Sequence, residues 1–102
     1  GHEAHHMQVL RQASLLRKLG DVPAAIELLE RHLAALPPQA LRDVAEVRFL
    51  RGTFLVAAGD AWQALDDMRF AVTSLSSDND RHTAAQIVTR LERHLGAPIA
   101  SA

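Results

Sequence analysis

From Met7 to Leu95 the apolar residues recur at spacings of three and four, the period of amphipathic helices rather than strands. Val9, Leu10, Ala13, Leu16 and Leu19, widened by Leu15, predict a helix over Met7–Leu19 that Gly20 stops. Ala25, Ile26, Leu29, Leu33 and Leu36 predict a second over Val22–Ala35, closed by Pro37-Pro38. Pro23 is tolerable there because the first turn has no helical partner for the N–H it lacks. After a loop over Pro37–Leu41, a third helix runs from about Leu41 to Ala58, with Val44, Val47, Leu50, Phe54 and Val56 among Arg42, Arg48 and Arg51. Ala64, Leu65, Met68, Ala71, Val72 and Leu75 give a fourth over Ala61–Leu75. Ala84, Ile87, Val88, Leu91 and Leu95 give a fifth over Arg81–Leu95, after a polar turn at Ser76–Asp80 and before Gly96 and Pro98. Residues 96–102 read as a flexible tail.

Two corners organise these helices. Gly20-Asp21-Val22-Pro23-Ala24-Ala25-Ile26 and Gly59-Asp60-Ala61-Trp62-Gln63-Ala64-Leu65 both read Gly-Asp-x-x-x-Ala-(Leu/Ile). Glycine ends a helix because it tolerates the left-handed backbone of a C-terminal cap. Aspartate starts the next by accepting the free N–H groups of its first turn. Gln63, three residues after Asp60, is placed to complete a capping box. Gly52, in mid-helix, predicts a neighbouring helix too close for a side chain.

Composition narrows the class. In 102 residues there is room for one small core, and the apolar 48% is mostly Ala, Leu and Val with 4% aromatics, which favours close-packed helices. There is no Cys, hence no disulfide framework or thiol chemistry. The net charge of −1 argues against a nucleic-acid surface, and no apolar run is long enough to span a membrane. A cytoplasmic location is the expectation. No Cys, no Tyr, no Gly-rich phosphate loop and no paired carboxylates beside a His offer a catalytic constellation, so no enzyme is expected. Asp66-Asp67 reads as a solvated face, and Asp78-Asn79-Asp80 as a cap. Gly1–His6 reads as an expression remnant or frayed terminus. The sharper alternative is a metal site of His2, His5 and His6, with Glu3 the one carboxylate beside it; no metal or cofactor is the expectation. His32 and His94 read as surface residues, and Trp62 as a cover over its loop.

Two helix–Gly-Asp–helix units followed by a single helix resemble tetratricopeptide repeats. The matching positions are the small Ala13 and Gly52, the large Leu16 and Leu55 one turn on, the Gly-Asp turns, the small Ala25 and Ala64, and the bulky Leu29 and Met68. Ala71 continues the pattern in the second unit, where the first has His32; the closing Pro37 has no counterpart after Leu75. The corners stand 39 residues apart, Gly20 to Gly59, against a family period of roughly 34, with the surplus in the Pro37–Val44 loop. Where the family has tryptophan or a large apolar residue early in the first helix of a repeat, this chain has Val9 and Arg48.

The resemblance implies an all-α, right-handed superhelix of about five antiparallel helices, with repeats over 7–37 and 41–75 and a capping helix over 79–95. It implies a protein–protein interaction module, adaptor or scaffold, that holds a peptide or helix of a partner in a concave groove and performs no catalysis. The implied groove positions are Leu10, Ser14, Arg17, Glu46, Phe49, Thr53 and Val56, with His82, Gln86 and Arg90 from the cap. Apolar in the middle and cationic at two edges, they would suit a short amphipathic or acidic-ended segment. Leu10 and Ser14 stand where the family's chaperone-tail binders carry carboxylate-holding residues, which argues against that activity. Alternatives are a self-association domain forming homo-oligomers, or a helical appendage of a larger protein or enzyme.

Overall fold

The computed structural model describes residues 1–97 and contains five α-helices: α1 (His2–Lys18), α2 (Val22–Ala35), α3 (Leu41–Ala58), α4 (Ala61–Ser74) and α5 (Asp78–Leu95). No strand occurs among the described residues. Of the tail expected over 96–102, the part beyond Ala97 lies outside the described residues.

Both corners have the same construction in space. Gly20 and Gly59 take left-handed φ values of 90° and 85°. The following aspartate donates its backbone N–H five residues back, Asp21 to Leu16 O and Asp60 to Leu55 O, both at 2.9 Å. Its carboxylate then accepts from the next helix's first turn: Ala24 N at 3.2 Å and Gln63 N at 3.3 Å. Because Leu55 O already satisfies the Asp60 N–H, the reciprocal half of a capping box at Gln63 is not needed. The polar turn before α5 is shorter than its composition predicts. Ser77 caps Asp80 N at 3.2 Å, so the helix starts at Asp78 rather than Arg81.

Each helix packs on its neighbour in the chain, and α1 also meets α3. Among the described residues α1 does not pack extensively back onto α4 or α5. The extents, 41 × 30 × 22 Å, are those of a flattened slab. The central helix α3 serves two cores. Val47 and Phe54 join Ala13, Ala25, Leu29 and Leu36 on one side. Ala45 and Leu55 join Ala64, Leu65, Met68, Ala71, Leu75, Ala84, Val88 and Leu91 on the other. Apolar residues on two faces of one helix are what stacking demands of a middle layer.

At Gly52 a Cβ would lie 2.8 Å from Met68 Cε and 3.1 Å from Asp67 Cβ, so α3 and α4 approach closely there and a side chain would force Met68 and Asp67 to shift. Asp67, expected on a solvated face, is fully buried. Its Oδ1 accepts from Arg48 Nε at 3.0 Å and Arg51 Nη2 at 2.7 Å, and its Oδ2 from Arg51 Nε at 2.9 Å. The hydrogen bond to Asp67 raises the pKa of Arg51 above its ordinary value, against the effect of burial. Arg48 also lies over the Phe70 ring, 4.6 Å from its centre. The position where the repeat resemblance implies a large apolar residue therefore holds an arginine whose guanidinium lies over an aromatic face.

Candidate functional site

Two places on the slab carry candidate chemistry. The first is the wall formed by α1 and α3. Ser14 and Arg17 are exposed on α1, and Leu10 is half-buried beside them. Leu10 and Ser14 line a depression of 380 Å³ with Arg11, Leu15 and Lys18. On α3, Val56 is 45% exposed, while Phe49 is half-buried and packs against the core shared with α4 and α5. An apolar centre is thus accessible, but through Val56 more than Phe49. Thr53 directs its hydroxyl to Leu50 O at 2.7 Å. Arg17 and Arg90 are exposed and form no ion pair among the described residues. His82 and Gln86 are exposed with Arg90 on α5, a helix that packs chiefly on α4. Trp62 remains 59% exposed in the first turn of α4.

Glu46 faces the second place. The first helix begins at His2 rather than Met7, because its opening turn is pinned against α2 and α3. His6 is 1% exposed. Its Nδ1 lies 2.9 Å from His32 Nε2 on α2, and its Nε2 lies 2.8 Å from Glu46 Oε1 on α3. Asp43 Oδ1 is 3.6 Å from the same Nε2, and Asp43 Oδ2 is 3.2 Å from His2 Nε2. His5 meets His32 edge-on, with ring centres 5.7 Å apart.

His32, expected at the surface, is buried. Desolvation lowers its pKa from the ordinary value, and the neighbouring His6 and His5 lower it further. Asp43 acts in the opposite direction, but an imidazole taken out of water beside other imidazoles holds its proton less readily. His94 is exposed as expected. Asp43 was not singled out in sequence, and His32 was read there only as a surface residue. One signal was available in the spacing: His2-Glu3-Ala4-His5-His6 reads H-E-x-x-H, which on a helix brings the first and last imidazoles to one face. Asp43 and Glu46, three apart, likewise share a face of α3.

A third feature is an apolar-walled cleft of 690 Å³ between α4 and α5, bounded in part by Val72, Val88 and Ala97.

No family model matches the chain, and no curated protein or solved structure matches it either.

Proposed function

We propose that this chain is a short solenoid of the tetratricopeptide-repeat kind that binds another polypeptide along the wall formed by α1 and α3. The observation that carries the reading is that the opening turns of the two hairpins lie side by side. His6 on α1 reaches Glu46 on α3 at 2.8 Å, although the residues are 40 apart in sequence. Repeats stacked in that order expose the first helix of each on one surface. On that surface Val56 offers apolar area and Arg17 an exposed cation. A short amphipathic segment with a carboxylate at one end would find both its contacts there. The proposed role is binding without catalysis.

The test is selection of binders from a random peptide library on the folded chain, followed by measurement of affinity. Val56→Glu and Arg17→Glu, both at exposed positions, should weaken the selected peptides by at least tenfold without changing the helical circular dichroism. Peptides indifferent to both changes would place the binding surface elsewhere and refute the reading.

Self-association is the second reading, favoured by Leu15 and Leu19, which are 55% and 73% exposed at the free side of α1. Light scattering at two protein concentrations separates it: a mass that doubles with concentration, and reverts on Leu19→Glu, would favour it over the groove.

A further inference from the structure

The cluster joining the first turns of α1 to α3 shares Glu46 with the groove positions, but its other members, His2, His6 and Asp43, contribute nothing to a peptide-binding wall and have the makings of a separate site. Its donors come from two helices and differ in kind: imidazole from α1, carboxylate from α3. His6 Nε2, Asp43 and Glu46 present coordinating atoms that all lie within 4.8 Å of one another. His2 Nε2 stands outside that group, 3.2 Å from Asp43 Oδ2, on a side chain exposed enough to turn toward it. A tetrahedral zinc ion with metal–ligand bonds of about 2.0–2.2 Å sets its ligand atoms about 3.3 Å apart. Within the group, His6 Nε2 lies 2.8 Å from Glu46 Oε1 and 3.6 Å from Asp43 Oδ1, on either side of that value. We infer that His6, Asp43 and Glu46, with His2 turning in as the fourth donor, form a binding site for one divalent transition-metal ion, of which Zn²⁺ fits best.

The donor set decides the class of ion. Two imidazoles and two carboxylates suit zinc and its neighbours, whereas calcium and magnesium take oxygen donors alone. A soft ion such as Cu(I) prefers thiolate, and the chain has no cysteine. The surroundings orient the ligand as well. With His6 Nε2 on the metal, its Nδ1 keeps a proton and donates it to His32 Nε2, 2.9 Å away. A hydrogen bond to the second ring nitrogen is how metal-ligating histidines are generally fixed in tautomer and angle. His6 is also buried, so its ring is already held where the ion would sit. The two carboxylates repel each other when nothing positive lies between them, and a bound cation removes that penalty. The physical result is a clasp that ties the start of the first hairpin to the start of the second. It stands whether or not the adjoining wall takes a peptide.

The full chain, stripped with a chelator, is titrated with ZnCl₂ by calorimetry and with Co²⁺ by visible absorption. One ion per chain is expected, together with the intense ligand-field bands of four-coordinate Co²⁺. His2→Ala and Glu46→Gln, at exposed and part-buried positions that leave the fold intact by circular dichroism, should each weaken binding by at least tenfold. His82→Ala and His94→Ala, exposed histidines on α5, should leave it unchanged. Hydrogen exchange of the amides from Ala4 to Gln8 should slow when zinc is present. If Glu46→Gln binds as tightly as the parent chain, the histidine-rich segment holds the ion without α3 and the proposed site is wrong. Absence of saturable binding, or loss of binding in the α5 variants, overturns it equally.

Discussion

Asp66 and Asp67 are adjacent acids that meet the same arginine, yet removing them should have very different consequences. The Asp67 side chain is fully buried, and Asp66 is 78% exposed. Asp67→Ala deletes the acceptor for three hydrogen bonds from Arg48 and Arg51, whose side chains are only 19% and 12% exposed. Breaking a buried ion pair from one side costs about 3–5 kcal/mol, because the stranded charge stays desolvated. Here Arg51 retains Glu30 at 3.8 Å and Arg48 retains Asp66 at 2.7 Å, which places the expected loss at the lower end, about 3 kcal/mol. For a domain of 102 residues, an unfolding entropy of about 2.1 cal/mol/K per residue converts that loss into a Tm lower by about 14 °C. Asp66→Ala removes an exposed partner and should cost less than about 1 kcal/mol, under about 5 °C. Thermal unfolding followed at 222 nm, with urea unfolding at 25 °C as a second measure, compares the two. Equal shifts for the pair, or a loss below about 0.5 kcal/mol for Asp67→Ala, would refute the argument that burial sets the magnitude.

Three other outcomes follow from the same packing. Gly52→Ala should gain about 0.5–1 kcal/mol of helix propensity yet lose more to overlap with Met68 and Asp67, for a net loss of about 1–2 kcal/mol in urea unfolding; a net gain would mean that α4 yields freely. Ala64→Leu, at a residue with no exposed area in the second core, should cost about 1–3 kcal/mol, and a melt within a degree of the parent would contradict the close approach of α3 and α4. Asp60→Ala removes the acceptor of Gln63 N and should lower stability by about 1 kcal/mol, whereas Asp60→Asn should restore most of it.

The helices were legible because their signals are local. Val22–Ala35 and Leu41–Ala58 are bounded in space as the period and the glycine and proline stops predict. The glycine–aspartate corners needed no tertiary information, since left-handed backbone and a capping carboxylate are both properties of a few consecutive residues. Even the close approach at Gly52 was readable, as a helix position that omits a side chain implies a neighbour occupying its place.

What the sequence alone determined was therefore the set of five helices, their two sharp corners and the apolar stripes that must face one another. What only the tertiary structure decided was the fate of the polar residues. Asp67 and His32 look like surface groups in sequence, because nothing in their neighbours shows that Arg48 and Arg51, or His6, will arrive to satisfy them. His6 and Glu46 are 40 residues apart and carry no shared pattern; stacking of the hairpins brings them to 2.8 Å. Helical periodicity reports which side of a helix avoids water. It does not report which partner a charged or imidazole group will meet on the other side of a packed interface, and the chemistry of this protein lies in those meetings.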